Sequence, residues 1–229
     1  MKAHESSERR AFLKKIGLLT VAPFLTRSRI EGAERVPATL KRDVSRLKQL
    51  LEQMDAKGHQ FWSVPRKDGE FLHLMVKAVQ AKHVLEVGTS QGFSAIWMGL
   101  GLEETGGRLI TIEIERDRYE VARRHIAEAG LSERITCVLG DAHREVTRLT
   151  GPFDFVFLDA DKDGQVDYFQ KLYPKKLLPG ALLIAHNVIR QAEAMKEYLE
   201  LLGQHPDFDT VIVSATMDDG FSLSYHHRA

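Results

Sequence analysis

The sequence is poor in several features that would settle a function at once. It has one cysteine, Cys137, in 229 residues. No internal disulfide can form, and between the apolar neighbours of "RITCVLG" a buried structural thiol is a better reading than a nucleophile. It has no excess of either charge: 32 basic side chains face 32 acidic ones, so no overall field draws the chain to nucleic acid or to an acidic surface. It contains no internal repeat, and no apolar run is long enough to cross a bilayer as a helix. No G-x-G-x-x-G follows any candidate strand, so a bound dinucleotide is poorly supported.

What is present is the composition of a globular domain, 43% hydrophobic and 28% charged, with length for one large core. The first 38 residues read differently from the rest. "ERRAFLKKIGLLTVAPFL" sets Arg9 and Arg10 before a short apolar run from Ile16 to Leu25, which resembles a twin-arginine export signal. An unstructured leader with two adjacent arginines is the alternative. Residues 39–229 form the second unit. From Thr39 to Lys57 apolar residues recur at helical spacing, "FWSVPRKDG" breaks the pattern, and "EFLHLMVKAV" reads as a second helix with Asp68 as N-cap.

Beyond it, short apolar runs alternate with amphipathic segments. The strands are "HVLEVG", "RLITIEI", "RITCVLG", "FDFVFLD" and "ALLIAHN"; helices are expected at about 93–102, 116–129, 142–149 and 166–177. The tail adds a helix near 193–202 and two strand-like runs, "DTVIVSA" and "FSLSY". Continuous apolar strands alternating with helices predict a doubly wound α/β fold, a mostly parallel sheet covered on both faces. Ligands bind such sheets beyond the carboxyl ends of the strands, near the switch in strand order, so the residues that follow each strand carry the information.

After the first strand comes "EVGTSQGFS", where Gly88 and Gly92 permit a tight turn and close approach of a ligand to the backbone. Glu86 repels phosphate but welcomes a cationic group. Glu113 ends the second strand, the usual place for a carboxylate that holds ribose hydroxyls. A nucleoside carrying an amino acid and a positive charge suits the three features together, and S-adenosylmethionine is such a molecule. After the fourth strand, "FVFLDADKDG" runs from an apolar stretch straight into Asp159, Asp161, Lys162 and Asp163. Ordinary turns do not need charges of both signs at the mouth of a buried strand.

The segments "VLEVGTSQGFSA", "GRLITIEIERDR", "GDA", "PFDFVFLDADK", "LLPGALLIAHNVI" and "DGFSLS", in one collinear order, resemble the cation-dependent O-methyltransferases, the group of catechol and caffeoyl-coenzyme A O-methyltransferases. The resemblance implies a Rossmann-like seven-stranded sheet whose last strand is antiparallel. It implies a cofactor pocket of Val64, Glu86, Gly88, Thr89, Ser94, Glu113, Asp141, Ala142 and Asp159. It also implies a divalent metal on Asp159, His186 and Asn187, with Lys162 as catalytic base, a small phenolic or catechol acceptor, and a homodimer. The chemistry is coherent: a phenol near pKa 10 is mostly neutral at working pH, a cation on two adjacent hydroxyls promotes their ionisation, and Lys162 beside it could accept the proton. Asp161 and Asp163 are expected to solvate the loop or cap the next helix.

Two positions depart from the family pattern. His186 stands where the family has aspartate, exchanging a hard anionic oxygen for a nitrogen and favouring Mn²⁺, Fe²⁺, Co²⁺ or Zn²⁺ over Mg²⁺. Gln165 replaces the first of two tyrosines, and Tyr168 matches the second. An S-adenosylmethionine-binding protein with a lost or altered metal site is therefore the alternative to an enzyme. A nucleic-acid methyltransferase would need a basic face or an Asn-Pro-Pro-Tyr-like motif, and the chain has neither. The cofactor is made in the cytoplasm, which favours action there, whereas the leader suggests export or membrane association.

Overall fold

The computed structural model of the chain describes residues 44–216 and 219–228. The leader over 1–38 and the first residues of the expected N-terminal helix lie outside the described residues. The strands are β1 (His83–Val87), β2 (Arg108–Glu113), β3 (Ile135–Leu139), β4 (Phe153–Leu158), β5 (Leu177–His186), β6 (Phe208–Thr216) and β7 (Asp219–His226). They form one sheet in the order β3-β2-β1-β4-β5-β7-β6. The first five run parallel, and β7 is antiparallel to both β5 and β6. This is the doubly wound, mostly parallel seven-stranded sheet expected from the sequence.

The described helices are α1 (Val44–Ala56), α2 (Gly58–Phe61), α3 (Arg66–Ala78), α4 (Phe93–Thr105), α5 (Arg116–Glu128), α6 (Ala142–Arg148), α7 (Gln165–Leu172) and α8 (Lys196–Gly203). Alternating side chains divide each strand between two cores. Val84, Phe155, Phe157 and Ile184 face one side with Leu50 and Met54 of α1, Leu72 and Val76 of α3, and Ile96 and Leu102 of α4. Leu85, Val87, Val156, Leu158 and Leu183 face the other with Val146 of α6, Phe169 and Leu172 of α7, and Tyr198 of α8. Because both faces are covered, the central strands are mostly apolar, as in "FVFL" of β4; each such side chain contributes about 1.5–3 kcal/mol by leaving water.

Several boundaries differ from those read in the sequence. Asp68 is not an N-cap. Pro65, extended at φ −61° and ψ 159°, precedes the first helical residue Arg66 and caps nothing with its side chain; Asp68 lies inside the first turn, buried. Helix α7 stops at Leu172 rather than near 177, because Tyr173 precedes a proline and takes the extended conformation that proline imposes on its neighbour. Strand β5 begins earlier, at Leu177, and absorbs "LLPG" by a register shift against β4. The tail helix starts at Lys196 rather than near 193. Within the expected break at "FWSVPRKDG", Trp62 takes a left-handed conformation, φ 57°, just after α2. No helix among the described residues is long and apolar enough to cross a membrane.

Strands β2 and β3 lie to one side of β1, and β4 and β5 to the other. The switch in strand order therefore falls between β1 and β4, where two diverging loops leave a crevice.

Candidate active site

A cleft of about 1370 Å³ opens at that switch point. Val64, Gly88, Thr89, Ser94, Glu113, Asp141, Ala142, Asp159, Lys162, His186 and Asn187 all line it. They come from segments spread over more than 120 residues of sequence, and the parallel sheet brings them together because each follows or ends a strand, or faces one.

Gly88 sits at φ +100°, and a Cβ there would stand 2.5 Å from the carbonyl oxygen of Asp159. Only glycine lets the loop after β1 pass so close to the loop after β4. Ser90 also has positive φ, and its backbone N–H donates to Glu113 Oε2 at 2.7 Å. The other oxygen, Oε1, accepts from the backbone N–H of Glu115 at 2.9 Å. Glu113 thus fastens the two loops that follow β1 and β2, and remains able to accept from hydroxyls through its other lone pairs. Gln91 ties the same region to the N-terminal helices, donating to Met54 O and Ser63 Oγ, each at 2.9 Å. At the far wall, Asp141 caps α6 by accepting from His143 N at 2.9 Å.

Glu86 is the one nominated residue that does not reach the cleft. It points from β1 beneath α4, has 0% exposure, and accepts from Ser94 Oγ at 2.5 Å and Thr111 Oγ1 at 2.6 Å. Burial pushes its carboxyl up to about 8, against the two hydroxyls that draw it down. Ser94, which does line the cleft, stands between Glu86 and any ligand.

The opposite end of the cleft holds the charges of the loop after β4. Lys162 Nζ donates to Asp159 Oδ1 at 2.8 Å, and both side chains are largely buried. His186 Nδ1 lies 3.2 Å from the same oxygen, while its Nε2 lies 3.0 Å from Asp68 Oδ2. The imidazole is held against Phe221, with ring centroids 5.0 Å apart, and near Phe157. Burial alone would raise the carboxyl of Asp159, but Lys162 and His186 outweigh it and hold the group below its ordinary range. For His186 burial works toward the neutral ring, and the carboxylates of Asp159 and Asp68 reverse it, to about 9. Asn187, at φ 63°, donates Nδ2 to Asp219 Oδ2 at 2.9 Å. Asp219 also collects the backbone N–H groups of Ile189, Arg190 and Gly220, so the loop after β5 is pinned.

Whether a divalent cation suits this corner depends on its donors. Among the described residues no three His, Cys, Asp or Glu side chains converge on a point. A cation between Asp159 and His186 would need an amide oxygen as its next protein donor, and Asn187 Oδ1 has the chemistry because the amide nitrogen is already given to Asp219. Carboxylate, imidazole and amide oxygen form a mixed set that fits Mn²⁺, Fe²⁺, Co²⁺ or Zn²⁺ better than Mg²⁺. Binding would displace the proton from Nδ1.

Asp161 does more than solvate its loop. It accepts from Tyr168 OH at 2.6 Å and lies 3.2 Å from His143 Nε2, while His143 Nδ1 pairs with Asp167. His143 stacks on Tyr168 with centroids 4.4 Å apart. Gly164, not Asp163, precedes α7, and Gln165 is buried with Nε2 on Asp161 O. Sequence reasoning missed His143, the role of Asp68, and Trp62, which is 80% exposed on the rim of the cleft. Only the unusual residue at 186 hinted that a partner was needed, and nothing in the sequence marked a residue 118 positions earlier.

Comparison with known proteins agrees with this architecture. The family profile described as O-methyltransferase matches residues 38–200. A catechol O-methyltransferase of Mycobacterium tuberculosis is 35% identical over 202 residues, 82% of this chain and 91% of the relative. A catechol O-methyltransferase of Niastella koreensis is 40% identical over 139 residues, 59% of this chain and 62% of the relative. Among solved structures, an O-methyltransferase of Bacillus cereus in complex with SAH superposes with a TM-score of 0.72 at 28% identity, covering 82% of this chain and 93% of the other. The O-methyltransferase TomG of Streptomyces achromogenes in complex with SAM gives 0.70 at 29%, with coverage of 83% and 92%.

Proposed function

Because the chain belongs to the O-methyltransferase family and is an S-adenosylmethionine-dependent enzyme, we propose that it methylates a hydroxyl of a small catechol-like or phenolic acceptor, with Lys162 as general base and a divalent cation on Asp159, His186 and Asn187. The observation that carries this reading is the single cleft. It has a carboxylate at the tip of β2 suited to ribose at one end, and at the other an amine 2.8 Å from a carboxylate that also faces an imidazole.

In this reading Glu113 accepts from the ribose hydroxyls, and Asp141 and Ala142 flank the adenine. Gly88 and Thr89 offer backbone to the amino-acid end. Val64 packs against the cofactor, and Glu86 acts through Ser94 rather than by contact. The reaction forms a bond between the acceptor oxygen and the methyl carbon as the bond from that carbon to sulfur breaks, leaving a neutral thioether. The acceptor's proton passes to Lys162 Nζ in its neutral form. A bound divalent cation would promote ionisation of adjacent hydroxyls and fix them. Trp62, exposed on the rim of the cleft, offers apolar surface to an aromatic ring. Lys162 Nζ lies 2.8 Å from Asp159 Oδ1, which supports the two acting in one site, since groups oriented before reaction lower its entropic cost.

The test is a methylation assay with catechol and simple monophenols, each with and without Mn²⁺. The reading expects transfer to the vicinal diol, dependent on Lys162. Cofactor binding without transfer to either class of acceptor would favour the alternative, a binding protein of the same fold with an altered metal site, to which His186 lends its only support.

A further inference from the structure

The imidazole at position 186 is not held by its own strand alone. Asp68, 1% exposed in the first turn of α3, places Oδ2 3.0 Å from His186 Nε2. A carboxylate can only accept, so Nε2 carries a proton toward Asp68, and Nδ1, which faces Asp159, carries one as well until a cation displaces it. The second ring nitrogen, Nδ1, then points at Asp159 Oδ1 at 3.2 Å, into the cleft. Phe221 and Phe157 close on the ring and oppose its rotation. Two features of α3 make the reach possible. Pro65 starts the helix three residues before Asp68, and Gly69 admits the indole of Trp97 at a distance no Cβ would tolerate, so the first turn of α3 lies close against α4.

We propose that Asp68 is the positioning residue that makes His186 a metal ligand: it fixes the proton on Nε2 and presents Nδ1 to a borderline divalent cation shared with Asp159. The inference rests on the metal-assisted reading above and deepens it. Asp68 has no contact with acceptor or cofactor in this role; it acts through the ring. Partners of this kind, hydrogen-bonded to the far nitrogen of a ligating histidine, change metal affinity by about 10–100-fold when removed.

The experiment measures Mn²⁺ affinity by calorimetry and nitrogen coupling to the bound Mn²⁺ by pulsed electron paramagnetic resonance. It compares the parent, Asp68→Asn, His186→Asp and the double variant. The parent should show imidazole nitrogen coupling, and His186→Asp should lack it. Asp68→Asn should weaken Mn²⁺ binding about 10–100-fold while leaving the dissociation constant of S-adenosylhomocysteine unchanged. In the His186→Asp background the same Asn substitution should weaken nothing, since no ring remains to orient. Equal Mn²⁺ affinity and equal nitrogen coupling in the parent and Asp68→Asn would overturn the role of Asp68 and leave the metal reading standing. An equal loss in both backgrounds, or a matching loss of S-adenosylhomocysteine binding, would reduce Asp68 to a packing residue and also overturn it. Mn²⁺ bound by the parent without nitrogen coupling would overturn it too. No Mn²⁺ binding by the parent, with methylation surviving EDTA, would remove the metal reading itself.

Discussion

Replacing Glu113 by alanine should do two separable things, and the structure sets the size of each. Its carboxylate, 5% exposed, accepts two backbone N–H groups, Ser90 at 2.7 Å and Glu115 at 2.9 Å. A hydrogen bond to a charged group is worth about 1.5–3 kcal/mol. Both amides sit in loops that water can reach once the side chain is gone, so the expected loss of stability is at the lower end, about 3 kcal/mol for the pair. The second effect is on the cofactor. Two ribose hydroxyls would lose a shared acceptor in a closed site, worth about 1–3 kcal/mol, or roughly 5–150-fold in dissociation constant. Glu113→Gln separates the effects: its single carbonyl can keep one loop amide but serves ribose less well. The assay is calorimetric titration with S-adenosylhomocysteine beside urea unfolding of the parent, Glu113→Gln and Glu113→Ala. The reasoning predicts weaker binding in both variants, with the larger stability loss in alanine. If both variants unfold earlier yet bind the nucleoside as tightly as the parent, Glu113 is a loop clasp only, and the ribose lies elsewhere.

Lys162→Ala should lower turnover by roughly 10²–10⁴, the usual contribution of a general base, with cofactor affinity almost unchanged; turnover near the parent's with a catechol would remove Lys162 from that role. Stripping divalent ions with EDTA should lower the rate on catechol by roughly tenfold or more, with Mn²⁺ restoring it better than Mg²⁺; an undiminished rate speaks against a metal in the reaction. Glu86 gives a pH dependence whose sign is fixed by its raised pKa. The native carboxyl holds its proton up to about pH 8 and the unfolded one only to about 4.5, so its contribution to ligand-free stability is complete below about 4.5 and is lost as pH rises toward 8, at no more than about 1.4 kcal/mol per pH unit. Urea melts at intervals from pH 5 to 8 should show that decline in the parent and a flatter profile in Glu86→Gln; parallel profiles would mean the group is already ionised in the native protein.

The sheet was legible because its central strands are buried on both faces and read as mostly apolar runs, each closed or followed at its carboxyl end by a glycine or a polar residue. The same regularity alone puts Gly88, Glu113, Asp159 and His186 at one rim, the carboxyl ends of the strands. What the sequence hid was contact across the sheet. Glu86 carries the same letter whether it faces a ligand or turns beneath a helix, and only the packing of α4 shows that Ser94 stands in front of it. Local chemistry allows Asp68 as a helix cap, but the helix starts at Arg66, after Pro65, and the carboxylate meets His186 of β5. Asp161 likewise belongs to a cluster with His143 and Tyr168 that no local pattern announces. Helix ends failed where a proline in the following turn, as at Pro174, outweighed the apolar period.

The central claim is that this cleft transfers a methyl group to a hydroxyl beside Lys162. Incubating the protein with methyl-labelled S-adenosylmethionine, Mn²⁺ and a catechol, then identifying the products by mass spectrometry, tests it directly. The account predicts one labelled methyl ether formed for each S-adenosylhomocysteine released, with little product when Lys162→Met replaces the parent although that variant still binds the cofactor. A parent protein that binds S-adenosylmethionine tightly and leaves every vicinal diol and phenol unlabelled would contradict it.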